Sequence, residues 1–153
     1  MVVAGFFMDF MILSAVGLWA YRHRTGRIIP TLLIFYELRG QIQNLFFMSR
    51  PEGFLWFKPS FPSLAIAYHD TNDFYYSGHV GCCTIFTIEL WALGERRLSI
   101  VTLFILINEW MILCLLRTHY VIDLVSGLTC ALLLHRVAEK VAFLYDVKFC
   151  GFH

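Results

Sequence analysis

Charge is scarce in this chain. Asp, Glu, Lys and Arg make up 15% of its 153 residues, where a soluble domain carries about 25%. So few polar groups cannot cover a surface that faces water. The net charge is +1, which offers no electrostatic case for a nucleic-acid partner. There are five cysteines, Cys82, Cys83, Cys114, Cys130 and Cys150, and no C-x-x-C pair. That pattern predicts neither a disulfide framework nor a zinc site; thiols in apolar runs pack as small hydrophobes. A cleavable signal is also missing: no basic region or small-residue cleavage site opens the chain. No repeat or low-complexity tract is visible. What the chain has instead is 59% hydrophobic and 17% aromatic residues, with a mean hydropathy of +0.67. A bilayer is the natural solvent for such a composition.

Five apolar segments are expected to be helices: Val2 to Ala20, Ile28 to about Met48, about His79 to Leu93, Leu98 to Leu116, and Tyr120 to about Leu144. A helix needs about 20 apolar residues to cross the hydrocarbon. The first, fourth and fifth meet that length, and the third is short. The second carries Glu37, Arg39, Gln41, Gln43 and Asn44, so it is expected inside the bundle with its polar side on a cavity. The expected fold is therefore all-α, a polytopic helical membrane bundle forming one domain over 1–153. Basic residues mark one face: Arg22, Arg24 and Arg27, then Arg96 and Arg97, then Arg136, Lys140 and Lys148. The positive-inside rule makes that face cytoplasmic. The loop from Ser49 to Ser77 and the link around Arg117–His119 then share the other face. That loop, rich in proline and aromatics, is expected to lie in the interface or roof a site. On this topology the chain starts on the non-cytoplasmic side, as a fragment lacking a first helix would.

Two motifs open helices on that face, Ser77-Gly78-His79 and His119-Tyr120-Val121-Ile122-Asp123. His119 and Asp123 are spaced i, i+4, one turn apart on one helix face. A carboxylate there fixes the imidazole tautomer and leaves the other ring nitrogen aimed outward, as a histidine nucleophile requires. His79 on a neighbouring helix start can protonate a departing alkoxide. Gly78 admits a phosphate close to backbone, and helix N-termini favour anions. Arg39 and Arg117 are candidate phosphate clamps, because a planar guanidinium matches paired phosphate oxygens. Asp73 can orient His79 or contact a head group, and Tyr75 and Tyr76 can border a choline-type cation. Glu109 lies inside the fourth helix, and its role, site or structure, is open. Glu89 is expected to snorkel toward Arg96 or Arg97, and His135 to be inert. No metal or other cofactor is implied.

The stretches Asp73-Phe74-Tyr75-Tyr76-Ser77-Gly78-His79 and His119-Tyr120-Val121-Ile122-Asp123 resemble the D-x-x-x-S-G-H and H-Y-x-x-D motifs of the sphingomyelin synthase-like branch of the lipid phosphatase/phosphotransferase superfamily. They also look like those of the plant phosphatidylcholine:diacylglycerol cholinephosphotransferases. Tyr36-Glu37-Leu38-Arg39, with Pro51 following, is similar to an earlier Y-x-x-R…P element. Arg117 before His119 and Leu124 after Asp123 look closer to the plant form. The resemblance covers about Tyr36 to Leu134. It implies six membrane helices, one absent here, and a metal-free catalytic triad of His79, His119 and Asp123 on a luminal or extracellular face of an endomembrane (ER or Golgi) or the plasma membrane. Tyr36, Arg39, Asp73, Ser77, Gly78 and Arg117 would serve the substrate. The implied partners are a phospholipid donor of a phosphocholine-type head group and a lipid alcohol, diacylglycerol or ceramide. Thr71-Asn72 before Asp73 replaces the Cys-Gly of animal synthases and weakens the case for ceramide. Two rivals stay open: a lipid phosphate phosphatase or phospholipase C-like hydrolase, and an inactive lipid-binding membrane protein. The phosphatase pattern fails where Gln43, Tyr76, Ile112 and Leu113 stand in for its usual residues.

Overall fold

A computed structural model describes residues 2–22, 26–46, 48–55, 63 and 75–149. Among them are five helices and no strand: α1 (Val2–Arg22), α2 (Ile28–Leu45), α3 (Gly78–Ala92), α4 (Arg96–Leu115) and α5 (Val121–Phe149). The fold is all-α, with helix bounds close to those expected.

The central helix is α3, which packs against all four others. Its sequence explains the position. Gly78, Gly81, Cys82, Cys83 and Thr84 are all buried, and such small side chains let neighbouring backbones approach closely. At Gly81 the ring of Phe35 occupies the space a Cβ would need, which keys α2 onto α3. The segment can be short because other helices surround it.

Two turns place the helix ends. After α3, Gly94 adopts φ 85°. Its N–H donates to the Trp91 carbonyl and that of Glu95 to Leu90, both at 3.0 Å, a Schellman C-cap. After α4 the same pattern recurs: Arg117 N–H donates to Cys114 at 3.2 Å and Thr118 N–H to Leu113 at 3.1 Å. Here the left-handed position, φ 51°, is held by Arg117, a residue without glycine's freedom. This turn delivers His119 to the start of α5.

Four expectations change. Arg39 and Gln43 of α2 do turn inward, but Glu37 and Gln41 lie exposed, the Gln41 amide donating to Glu37 at 2.9 Å. The polar residues of α2 are thus split between two faces, and α3 takes the central place. Glu89 does not reach for Arg96 or Arg97. It is buried and takes a two-pronged bond from Arg27, Nε to Oε1 at 2.8 Å and Nη2 to Oε2 at 3.1 Å. His135 Nε2 lies 3.0 Å from the same Oε1, so this histidine is a partner in the network, not an inert one. Burial alone would lower the Arg27 guanidinium, but Glu89's hydrogen bond and charge outweigh it and hold the group above its ordinary value. Finally, Arg96–Leu115 and Val121–Leu144 are long and apolar enough to cross a membrane, while the apolar stretch of α1, Gly5–Tyr21, is shorter. Large apolar side chains such as Phe6, Phe104, Ile107, Leu133 and Phe143 cover the outer face. A surface of that kind calls for lipid or a protein partner.

Candidate active site

The first turns of α3 and α5 meet at the end of the bundle opposite Arg27. Ser77 caps α3, its hydroxyl accepting from the Val80 N–H at 3.4 Å, as expected of a helix-start serine. At α5 the cap is reciprocal. Asp123 N–H donates to the Tyr120 carbonyl at 3.0 Å, and Asp123 Oδ2 accepts from the Tyr120 N–H at 2.9 Å, in the manner of a capping box. The two starts are tied directly, because Ser77 N–H donates to the Asp123 carbonyl at 3.0 Å. That contact requires Gly127, where a Cβ would lie 2.5 Å from the Ser77 carbonyl oxygen.

This joint brings His79 and His119 face to edge, ring centroids 6.3 Å apart and planes at 63°. His119 Nδ1 lies 3.4 Å from Asp123 Oδ2, slightly long for a hydrogen bond. Asp123 is fully buried, and its Oδ1 has no hydrogen-bond partner among the described residues. Nδ1 is the ring nitrogen turned to the carboxylate.

Arg39 joins this group from α2. Its Nε donates to the Tyr76 carbonyl at 3.1 Å. Its guanidinium lies so close over Gly78 that a Cβ there would come within 3.1 Å of Nε. The space beside Gly78 is thus taken up by the approach of Arg39. Tyr76 sits in a left-handed conformation, φ 72°, fully buried with its ring 4.9 Å from that of Phe35. A bulky residue held at positive φ marks a place where surroundings impose the conformation.

Two expected site residues lie apart. Arg117 is exposed and turns toward the loop, Nη1 donating to the Glu52 carbonyl at 3.4 Å and lying over Gly53. Tyr36 points its hydroxyl to Cys82 Sγ at 3.5 Å, one turn along α3 from His79. Asp73 lies outside the described residues. The described part of the loop docks on the link between α4 and α5. Leu55 N–H donates to the Leu116 carbonyl at 3.1 Å, and the Tyr120 hydroxyl to Ser49 at 3.2 Å.

Sequence reasoning missed Gly127 and the strain at Tyr76. A glycine one turn beyond Asp123 on the same helix face was the available signal for the first; the second had none.

Residues 2–140 match the family model AtPDCT1/2, of phosphatidylcholine:diacylglycerol cholinephosphotransferases. The chain belongs to this family. Most of the AtPDCT1/2 match lies in the five helices, and it includes both histidine motifs. Curated proteins and solved structures gave no significant match.

Proposed function

We propose that this protein is an integral membrane phosphotransferase, moving a phosphocholine-type head group from a phospholipid to a lipid alcohol through a phosphohistidine. The observation that carries the reading is the pair His79 and His119, 6.3 Å apart on two helix starts, with Asp123 behind His119. Membership of the AtPDCT1/2 family supports the head-group class.

His119 Nε2 attacks phosphorus, and the bond from phosphorus to the diacylglycerol oxygen breaks. Protonated His79 gives its proton to that oxygen, so diacylglycerol leaves neutral. Asp123 keeps Nδ1 oriented and stabilises the positive charge on the phosphorylated ring. The incoming lipid alcohol then loses its hydroxyl proton to neutral His79, and its oxygen attacks phosphorus. The phosphorus–nitrogen bond breaks and His119 is regenerated. Arg39, beside Gly78, balances charge on the phosphoryl oxygens, the group that needs it as bonding changes. Ser77 and Gly78 hold the start of α3 in register. In the membrane, the histidine end faces the lumen or exterior and the Arg27 end the cytoplasm, following the distribution of basic residues.

Head-group transfer in defined vesicles tests this. Phosphatidylcholine is the donor, with fluorescent diacylglycerol and fluorescent ceramide offered in parallel. A head-group-bearing fluorescent lipid that is lost in His119→Ala is the expected result. Soluble phosphocholine released without an acceptor would replace this reading with hydrolysis.

A further inference from the structure

Among the described residues of the bundle, three carboxylates are almost fully buried: Glu89, Glu109 and Asp123. Glu89 has Arg27 and His135, and Asp123 has the Tyr120 N–H and His119. Glu109 is 2% exposed, and its Oε1 has no hydrogen-bond partner among the described residues. No described cationic side chain pairs with it. A buried carboxyl left this way is costly, and inside a membrane bundle it is a functional residue by default.

Its position can be read from the helix register. Ser99 Oγ donates to the Thr87 carbonyl at 2.8 Å, fixing the antiparallel alignment of α4 on α3. Ten residues on along α4, Glu109 stands level with the first turns of α3, where His79 lies. Cys83, one turn from His79 on the same face, is close enough to Glu109 to interact electrostatically. The other buried polar groups on this face of α4, Ser99 and Thr102, both have partners. Leu106 and Leu113, one turn to either side of Glu109 on α4, belong with Met8 and Cys83 to a buried apolar cluster. The beginning of α3 is therefore flanked by the Arg39 cation from α2, the histidines, and an acidic group from α4 with which no described cationic side chain pairs.

We propose that Glu109 is the counter-ion for the positively charged end of the donor's head group. This rests on the transfer reading above and extends it to how the head group is told apart. A zwitterionic head group matches the arrangement: its phosphate lies by Arg39 and the histidines, and its quaternary ammonium reaches toward Glu109. The ammonium carries methyl groups, which suit an apolar lining, and it donates no hydrogen bond, so a carboxylate and apolar side chains are enough to hold it.

The test compares phosphatidylcholine with its neohexyl analogue, in which carbon replaces the charged nitrogen at nearly constant shape. Wild-type protein should favour phosphatidylcholine by about tenfold or more in kcat/KM. Glu109→Gln should erase that preference through a raised KM for phosphatidylcholine, while Glu109→Asp keeps it. Equal losses on both donors, or an unchanged preference in Glu109→Gln, would overturn the assignment. Equilibrium binding of both lipids to His119→Ala in nanodiscs separates this proposal from the transfer reading. A preference there that vanishes in His119→Ala/Glu109→Gln supports the counter-ion, even if the wild type transfers nothing and the transfer reading falls. Absence of any preference in His119→Ala rejects the counter-ion, whatever the wild-type turnover.

Discussion

At the basic end of the bundle, Glu89 is held by both prongs of Arg27 and has His135 3.0 Å away. At the other end, Asp123 has His119 at 3.4 Å and one oxygen with no hydrogen-bond partner among the described residues. Both ends use a histidine, a buried acid and an arginine. At the basic end Arg27 grips Glu89 with two donors and His135 lies against the same carboxylate, which draws α2, α3 and α5 together. At the other end the arginine spends a donor on a backbone carbonyl, and two imidazoles face each other across a gap. A charge-paired polar network fixes structure.

Exchanging equivalent residues between the ends is the sharpest way to break this comparison. His119→Ala should reduce head-group transfer by about a thousandfold or more. His135→Ala should leave turnover within about threefold and lower the thermal midpoint, since Glu89 loses one neighbour, about 1–3 kcal/mol. Similar turnover losses in both variants would erase the distinction. The arginines form the next pair. Arg39→Met should slow transfer by about a hundredfold with the fold intact. Arg27→Met strands a buried carboxylate and should cost about 3–5 kcal/mol in detergent unfolding, with less effect per folded molecule. Glycines give a smaller contrast. Gly127→Ala pushes a methyl group into the Ser77 carbonyl and should cost about 1–3 kcal/mol along with activity. Gly17→Ala, with nothing within 4 Å of its new carbon, should change stability by less than about 1 kcal/mol. The smallest effect belongs to Arg117→Met. Its guanidinium serves the loop, so transfer should stay within about threefold. A loss like that of Arg39→Met would return Arg117 to the phosphate.

How much of this was legible in the sequence depends on range. Helix bounds were legible because apolar runs are local. The approach of His79 to His119 was legible because basic loops fixed which helix ends share a face. The partner of Glu89 was not: Arg27 and Arg96 lie on the same basic face, and only packing selects between them. The split of α2 was hidden for a similar reason. Its polar residues occur at spacings that place Arg39 and Gln43 on one side and Glu37 and Gln41 on the other, and sequence does not say which side is covered. The backbone duty of Arg117 was also invisible, because a Schellman turn ordinarily announces itself by glycine, as Gly94 does.

The main-chain bond from Ser77 to Asp123 has one more consequence, for how the protein is made. Its two halves lie on the third and fifth helices, with all of α4 between them. A nascent chain still emerging from the ribosome holds His79 without its companion until α5 has formed and docked. The docking of α5 thus completes the centre, so a chain cut short before α5 would lack the group proposed to attack phospholipid.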